Sequence, residues 1–172
     1  MSSAWVGIDP GARGAIAVVD SFGWWFALDM PRQGSAGACA VSTVLEALSS
    51  RVDTVVVCSE SQRAYGGQGV VSSFALGQAY GWIRGVVDAW GVCEFVAVHL
   101  VAPHEWQPVI LGRRTKGGPT AKERALVVAA EAAPGIALRT PRGRVLDGRA
   151  DAICIALYAR KMWGMDDDDD VK

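Results

Sequence analysis

The sequence predicts an α/β fold in which one mixed sheet is covered by helices on both faces, and three observations predict it. Three short apolar runs, AWVGID, GAIAVVD and WWFALDM, follow one another across Gly-containing turns, the pattern of an antiparallel meander. A nearly continuous β-branched run, DTVVVCS at 53–59, has the composition of a fully buried strand of parallel type. Segments with helical spacing then alternate with a further strand, without internal repeat or linker.

The elements can be justified in turn. After the meander and a polar, Gly-rich loop at 33–37, the apolar positions Val41, Val44, Leu45 and Leu48 predict a first helix over 41–50. The buried strand stops at Glu60, and the polar loop 61–69 carries Arg63 and Tyr65. A long helix follows over 70–90, with Gly91 as its C-cap. The run CEFVAVHLVA predicts the fifth strand, ended by Pro103, which opens a short helix over 103–111. A basic loop over 112–119 carries Arg113, Arg114 and Lys116, and Thr120 with Glu123 forms a capping box for the helix over 120–133. Residues 134–146 read as irregular and basic, and the last helix is expected over 147–163.

The 172 residues, 51% of them apolar, suffice for one domain over 1–163. No stretch of about 18 apolar residues occurs, and MSSAWVGIDPG lacks a basic n-region, so a soluble, intracellular protein is expected. Cys39, Cys58, Cys93 and Cys154 form no CxxC pair and read as reduced core residues. His99 and His104 read as packing or surface residues. The formal charge of −1 conceals an asymmetry, because Asp166 to Asp170 form an acidic run in a tail, 164–172, expected to be disordered. Without residues 166–172 the chain holds 16 basic and 13 acidic side chains, and residues 103–149 hold nine basic against four acidic. A polyanionic partner fits that balance.

Four carboxylates stand out. Asp9 follows WVGI and precedes the tight turn PGARG, and Glu60 ends VVVCS in the same way. If the two strands are neighbours, both acids project from one end of the sheet, where α/β sheets place ligands. Asp147 and Asp151 are four apart and stack on one face of the last helix, whose continuation AICIALYA is apolar all round. Like charges at that spacing on a buried helix require a compensating cation. Oxygen ligands without thiolate or imidazole motifs favour Mg²⁺ or Mn²⁺ over zinc. Other acids have simpler explanations: Asp20 and Asp29 as turn formers, Asp53 as a cap, Asp88 as a solvent-facing helix residue.

These pieces together resemble the RuvC-type Holliday-junction resolvases, in particular their phage and organelle-like branch. The matching segments are GIDPGARGAIAVVD at 7–20, SESQ at 59–62, LGQAYGWIRGVV at 76–87, VAPHEWQ at 101–107, GPTAKERALVVA at 118–129 and DGRADAICIALY at 147–158. The resemblance implies a five-stranded ribonuclease-H-like sheet, a homodimer, and cleavage of four-way DNA junctions by paired nicks with two metal ions per site. Carried over, the acidic tetrad falls on Asp9, Glu60, Asp147 and Asp151, with Asp9 shared by both ions, and the basic residue opening the penultimate helix falls on Lys122. Two positions depart from the pattern. Gln107 stands where the family commonly has Lys, and the final acids are four apart, as in the phage-like branch, against three in the bacterial enzymes.

Arg63, Arg113, Arg114, Lys116, Arg139, Arg142, Arg144 and Arg149 are expected to track DNA phosphates, and Tyr65 to stack on an unpaired base. The compartment implied is the cytoplasm of a bacterium or phage-infected cell, or an organelle matrix after loss of a transit peptide. The same fold could instead serve a nuclease acting on flaps or RNA–DNA hybrids, or a non-catalytic junction-binding protein. A sugar-kinase or actin-like ATPase shares the first strand ending in Asp and a Gly turn, but needs two such subdomains.

Overall fold

The computed structural model describes residues 1–11, 13–31, 35–63, 67, 69–93 and 95–164; Tyr65 and the run 166–170 lie outside them. Strands β1 (Ser3–Asp9), β2 (Ala15–Asp20) and β3 (Trp25–Asp29) form the expected antiparallel meander. Helix α1 (Ala36–Ser49) leads to β4 (Thr54–Glu60), which lies parallel to β1 on its other side. Helix α2 (Val70–Trp90) leads to β5 (Val96–Val101), parallel to β4, and α3 (Pro103–Ile110), α4 (Ala121–Ala132) and α5 (Asp147–Trp163) complete the chain. The sheet order is β3-β2-β1-β4-β5.

The central strands β1 and β4 are buried over their five inner residues, which is why they read as unbroken apolar runs rather than alternating ones. The two-residue period still sorts their side chains. Ala4, Val6 and Ile8 join Val55, Val57, Leu45 and Ile83 on the α1–α2 side, while Trp5, Val56 and Cys58 join Trp106, Ala129 and Ile153 on the α3–α5 side. Between these positions Gly7 faces α5. A methyl group there would lie 2.1 Å from the Ala152 carbonyl oxygen and 2.4 Å from the Ala156 nitrogen, so the helix rests directly on strand backbone. At the head of α5, Gly148 meets the Arg13 carbonyl in the same way. Alanines at 150, 152, 156 and 159, all buried, permit this approach along the helix.

Three expectations are revised. Helix α1 begins at Ala36 rather than 41, because Gly37 and Ala38 are buried, Gly37 against Met30, and small residues carry no periodic apolar signal. The segment 134–146 contains an ordered turn. Gly143 N donates to Thr140 O at 2.8 Å, Thr140 N to Arg144 O at 2.8 Å and Leu146 N to Leu138 O at 2.9 Å, with Arg139 bridged to Val145. Gly143, at φ 81°, follows Pro141 and Arg142 in the left-handed position of a three-residue hairpin loop. Cys39 is exposed and Cys93 half-buried, so only Cys58 and Cys154 are core thiols, both pushed up to about 12 by burial.

Asp20 is the turn former expected, accepting from Phe22 N and Trp24 N at 2.9 Å each. Asp53 caps no helix and instead accepts from Ser2 N at 2.8 Å. Asp88 is exposed and pairs with Arg84. His99 stacks on Trp163 with ring centres 3.7 Å apart. Helix α2 has only Ile83 and Val87 buried, and Phe74 near its start is 71% exposed. Among the described residues, no helix is long and apolar enough to cross a membrane.

Replacing Gly7 by Ala should destabilise the protein by about 2 to 3 kcal/mol, since the only atoms that could yield are helix backbone. Gly135→Ala, which would meet nothing within 4 Å, is the control. Urea unfolding followed by tryptophan fluorescence would show the difference, and equal stability of the two variants would remove the tight seat of α5.

Candidate active site

Asp9 and Glu60 are the terminal residues of adjacent parallel strands, one step beyond the pair Ile8–Ser59. By the alternation that places Trp5 and Gly7, and Val56 and Cys58, toward α5, both acids belong to that same face. The close seating of α5 brings its first two turns to this end of the sheet. A cleft of about 320 Å³ results, lined by Asp9, Asp147 and Asp151 together with Lys122, Arg13 and the glycines Gly11, Gly14 and Gly148. Glu60 is not in its wall but feels the charges of Asp9 and Asp151.

Each acid is held differently. Asp9 Oδ1 accepts from Gly11 N at 2.9 Å inside the turn after β1, and among the described residues no backbone donor reaches its second oxygen. Glu60 Oε1 accepts from Trp106 Nε1 at 2.9 Å and Oε2 from Gln62 Nε2 at 3.3 Å. Trp106 is 1% exposed, so its indole N–H needs a buried acceptor, and Glu60 supplies one. Asp147 Oδ2 accepts from Lys122 Nζ at 2.6 Å, joining the start of α5 to the start of α4. Among the described residues, no hydrogen bond reaches the carboxylate of Asp151.

Proton affinities follow from this. Burial pushes Asp9 up, opposed by the Gly11 hydrogen bond, and the nearby Asp147 adds to the rise. Burial raises Glu60 as well, against the hydrogen bond from Trp106. Asp151, with burial and the charges of Asp9 and Glu60 all acting in one direction, is raised to about 7. Asp147 moves the other way, because the Lys122 hydrogen bond outweighs its burial. The cluster thus divides into three acids that are costly to ionise and one already neutralised by lysine.

The donor set, carboxylate oxygens alone, suits a hard divalent cation such as Mg²⁺ or Mn²⁺. The repulsion carried by Asp9, Glu60 and Asp151 is the kind a cation would relieve. As the side chains stand, no three His, Cys, Asp or Glu groups among the described residues are gathered closely enough to hold one ion. Asp147 is drawn to Lys122 and Glu60 to Trp106.

The basic residues separate into groups. Arg63, Arg113, Arg114, Lys116 and Arg142 are exposed and lie outside the cleft wall. The start of the 112–119 loop is fixed by Arg124, whose guanidinium donates to Leu111 O at 2.9 Å and Gly112 O at 2.7 Å. Arg149 is committed to protein groups, donating to Asp29 Oδ1 and to Ala137 O, so Asp29 is an ion-pair partner; the turn expected of it runs into 32–34, outside the described residues. The residues missed in the sequence are Trp106, Gln62 and Arg13. A tryptophan on a short helix and a basic residue in the turn after Asp9 were visible signals, but their partners were not.

No known family model matches the chain, and no curated protein sequence does. Among solved structures, the fold matches T. thermophilus RuvC in complex with a Holliday junction substrate, with a TM-score of 0.56 at 18% identity, covering 95% of this chain and 98% of that one. A second Thermus thermophilus RuvC structure matches with a TM-score of 0.51 at 24% identity, covering 92% of each chain. The chain therefore has a RuvC-type, ribonuclease-H-like fold.

The raised affinity of Asp151 makes stability fall with pH. The unfolded chain releases this proton near 3.8 and the native state near 7, so between those values the native state holds more protons and unfolding becomes easier as pH rises. The lowered His99 acts oppositely, which is why the difference between wild type and Asp151→Asn is the quantity to measure. In divalent-free buffer that difference should shift in favour of the variant by on the order of 3 kcal/mol between pH 5 and pH 8. Parallel pH profiles from thermal unfolding would show that Asp151 ionises normally.

Proposed function

We propose that this chain, with its RuvC-type fold, is a metal-dependent endonuclease that resolves four-way DNA junctions by paired nicks. The observation that carries the reading is the convergence of three desolvated carboxylates, Asp9, Glu60 and Asp151, at one end of a sheet whose fold matches a protein solved with a Holliday junction substrate. Such a group of acids binds nothing negative by itself. Asp9, Glu60 and Asp151, with Asp147 beside them, would hold two Mg²⁺ ions, Mn²⁺ substituting. Bound there, the ions supply a lowered pKa for an attacking water and charge stabilisation for the leaving oxygen.

The chain's own groups do the rest. Gly11 N–H and Trp106 Nε1 each anchor one carboxylate oxygen, of Asp9 and of Glu60, at this end of the sheet. Lys122 spends one of its three N–H donors on Asp147 and is otherwise exposed, so it can also donate to a phosphate oxygen at the cleft. Arg113, Arg114, Lys116 and Arg142 supply affinity for the backbone without reading sequence.

Paired nicks need two sites, and the described residues form one such cleft, so the reading includes a homodimer. The start of α2 supports it, with Val70, Val71 and Phe74 each more than 70% exposed. The actin-like ATPase reading is disfavoured by the single five-stranded sheet formed by the described residues.

Incubated with Mg²⁺ and a synthetic four-way junction, the wild type should place symmetric nicks, while Asp9→Asn should bind the junction and cleave it slower by roughly a hundredfold or more. Comparable cleavage of a linear duplex, a flap or an RNA–DNA hybrid would replace the resolvase reading by a broader nuclease. Undiminished cleavage by Asp9→Asn would dismiss the mechanism.

A further inference from the structure

Arg13, in the turn between β1 and β2, belongs to two depressions at once. One is the carboxylate cleft; the other, about 100 Å³, leads from the same turn toward the end of β3 and the 138–146 hairpin, with Asp29, Arg144, Asp147 and Arg149 in its wall. Arg13, Gly14 and Asp147 line both, so the smaller depression, a groove toward the end of β3, adjoins the cleft at the start of α5.

Charge accounting gives the groove its sign. Asp29 is taken by Arg149 and Asp147 by Lys122. Among the described residues, Arg13 and Arg144 have no acid within salt-bridge distance, and both are exposed. In this smaller depression both acids, Asp29 and Asp147, are matched, and the two remaining charges are guanidinium groups, a balance that selects an anion.

Hydrogen bonds and close backbone contacts tie its frame at the turn after β1 and at the hairpin. Gly14 N donates to Gly11 O and Met30 N to Gly14 O, both at 2.8 Å, while Gly148 lets α5 rest on the Arg13 carbonyl. Arg149 ties the base of the hairpin through Ala137 O, and Thr140 N bonds Arg144 O within it. Both arginines thus rise from anchored backbone, which reduces the ordering cost of binding. A guanidinium fork also matches the two free oxygens of a phosphodiester better than a single ammonium does.

The geometry points to a second phosphate seat: Arg13 and Arg144 hold the backbone phosphate next to the scissile one as the DNA strand leaves the carboxylates toward the end of β3. This inference rests on the nuclease reading above and adds the path of the strand to it. Arg13 is then a substrate-holding residue.

The test uses Asp9→Asn protein, so that binding is measured without turnover, and four-way junctions carrying a neutral methylphosphonate at each phosphate around the cleavage point in turn. With both arginines present, neutralising one position beside the scissile phosphate should weaken binding about tenfold; with Arg13→Ala and Arg144→Ala combined, the same substitution should cost less than about twofold. The salt dependence should fall by about one unit per arginine removed, while Arg13→Lys restores that slope without restoring full affinity. Unchanged thermal unfolding of the variants shows that loss of binding is not loss of fold. Equal losses at every position with and without the arginines would overturn the seat alone. Failure of the Asp9→Asn protein to bind any junction would overturn the nuclease reading, and the seat with it.

Discussion

The contact on which this structure depends is the one between α5 and bare strand backbone. Gly7 has no side chain to hold the helix away, and Gly148 has none to hold it off the turn after β1. Close-packed interiors do not absorb an added methyl between two backbones cheaply. The alanines of α5 are the other half of the fit, since larger side chains at those positions would move the helix outward. Because the helix lies this low, its first two turns reach the end of the sheet, and a carboxylate four residues into it joins two carboxylates that end strands.

That proximity sets competing electrostatic effects against each other, and the outcome differs by residue. At Asp151 burial and three like charges, those of Asp9, Glu60 and Asp147, act together, with only Lys122 opposing them. At Asp147 the same lysine is in direct contact and prevails over burial. Asp9 and Glu60 lie between, since each accepts a hydrogen bond that partly offsets its desolvation. The functional asymmetry of the four acids comes from which neighbours carry N–H groups, not from the acids themselves.

The sheet and the positions of the four acids were legible because they follow from short-range rules. A buried strand that stops at an acid marks its end, and two acids four apart on a helix share a face wherever that helix packs. The start of α1 was not legible, because Gly37 and Ala38 are buried, Gly37 against Met30, and such small residues carry no periodic apolar signal. The hairpin over 138–146 left a signal in Thr140-Pro141-Arg142-Gly143, a proline followed by a glycine at the left-handed position, but the surrounding basic residues obscured it. Partners across the fold leave no such trace. Asp29 and Arg149 are 120 residues apart, and nothing near either one announces the other. The same holds for Trp106 and Glu60, 46 residues apart.

The Trp106 hydrogen bond gives Glu60 a handedness. An indole nitrogen only donates, at every pH, so the oxygen it holds, Oε1, remains an acceptor and cannot turn an O–H toward it. A proton arriving on Glu60 therefore resides on Oε2, the oxygen that faces the amide of Gln62 at the longer distance of 3.3 Å. One oxygen is held by the buried indole and the other by a side chain of the segment after β4. Protonation of this residue is thereby directed to one of its two carboxyl oxygens.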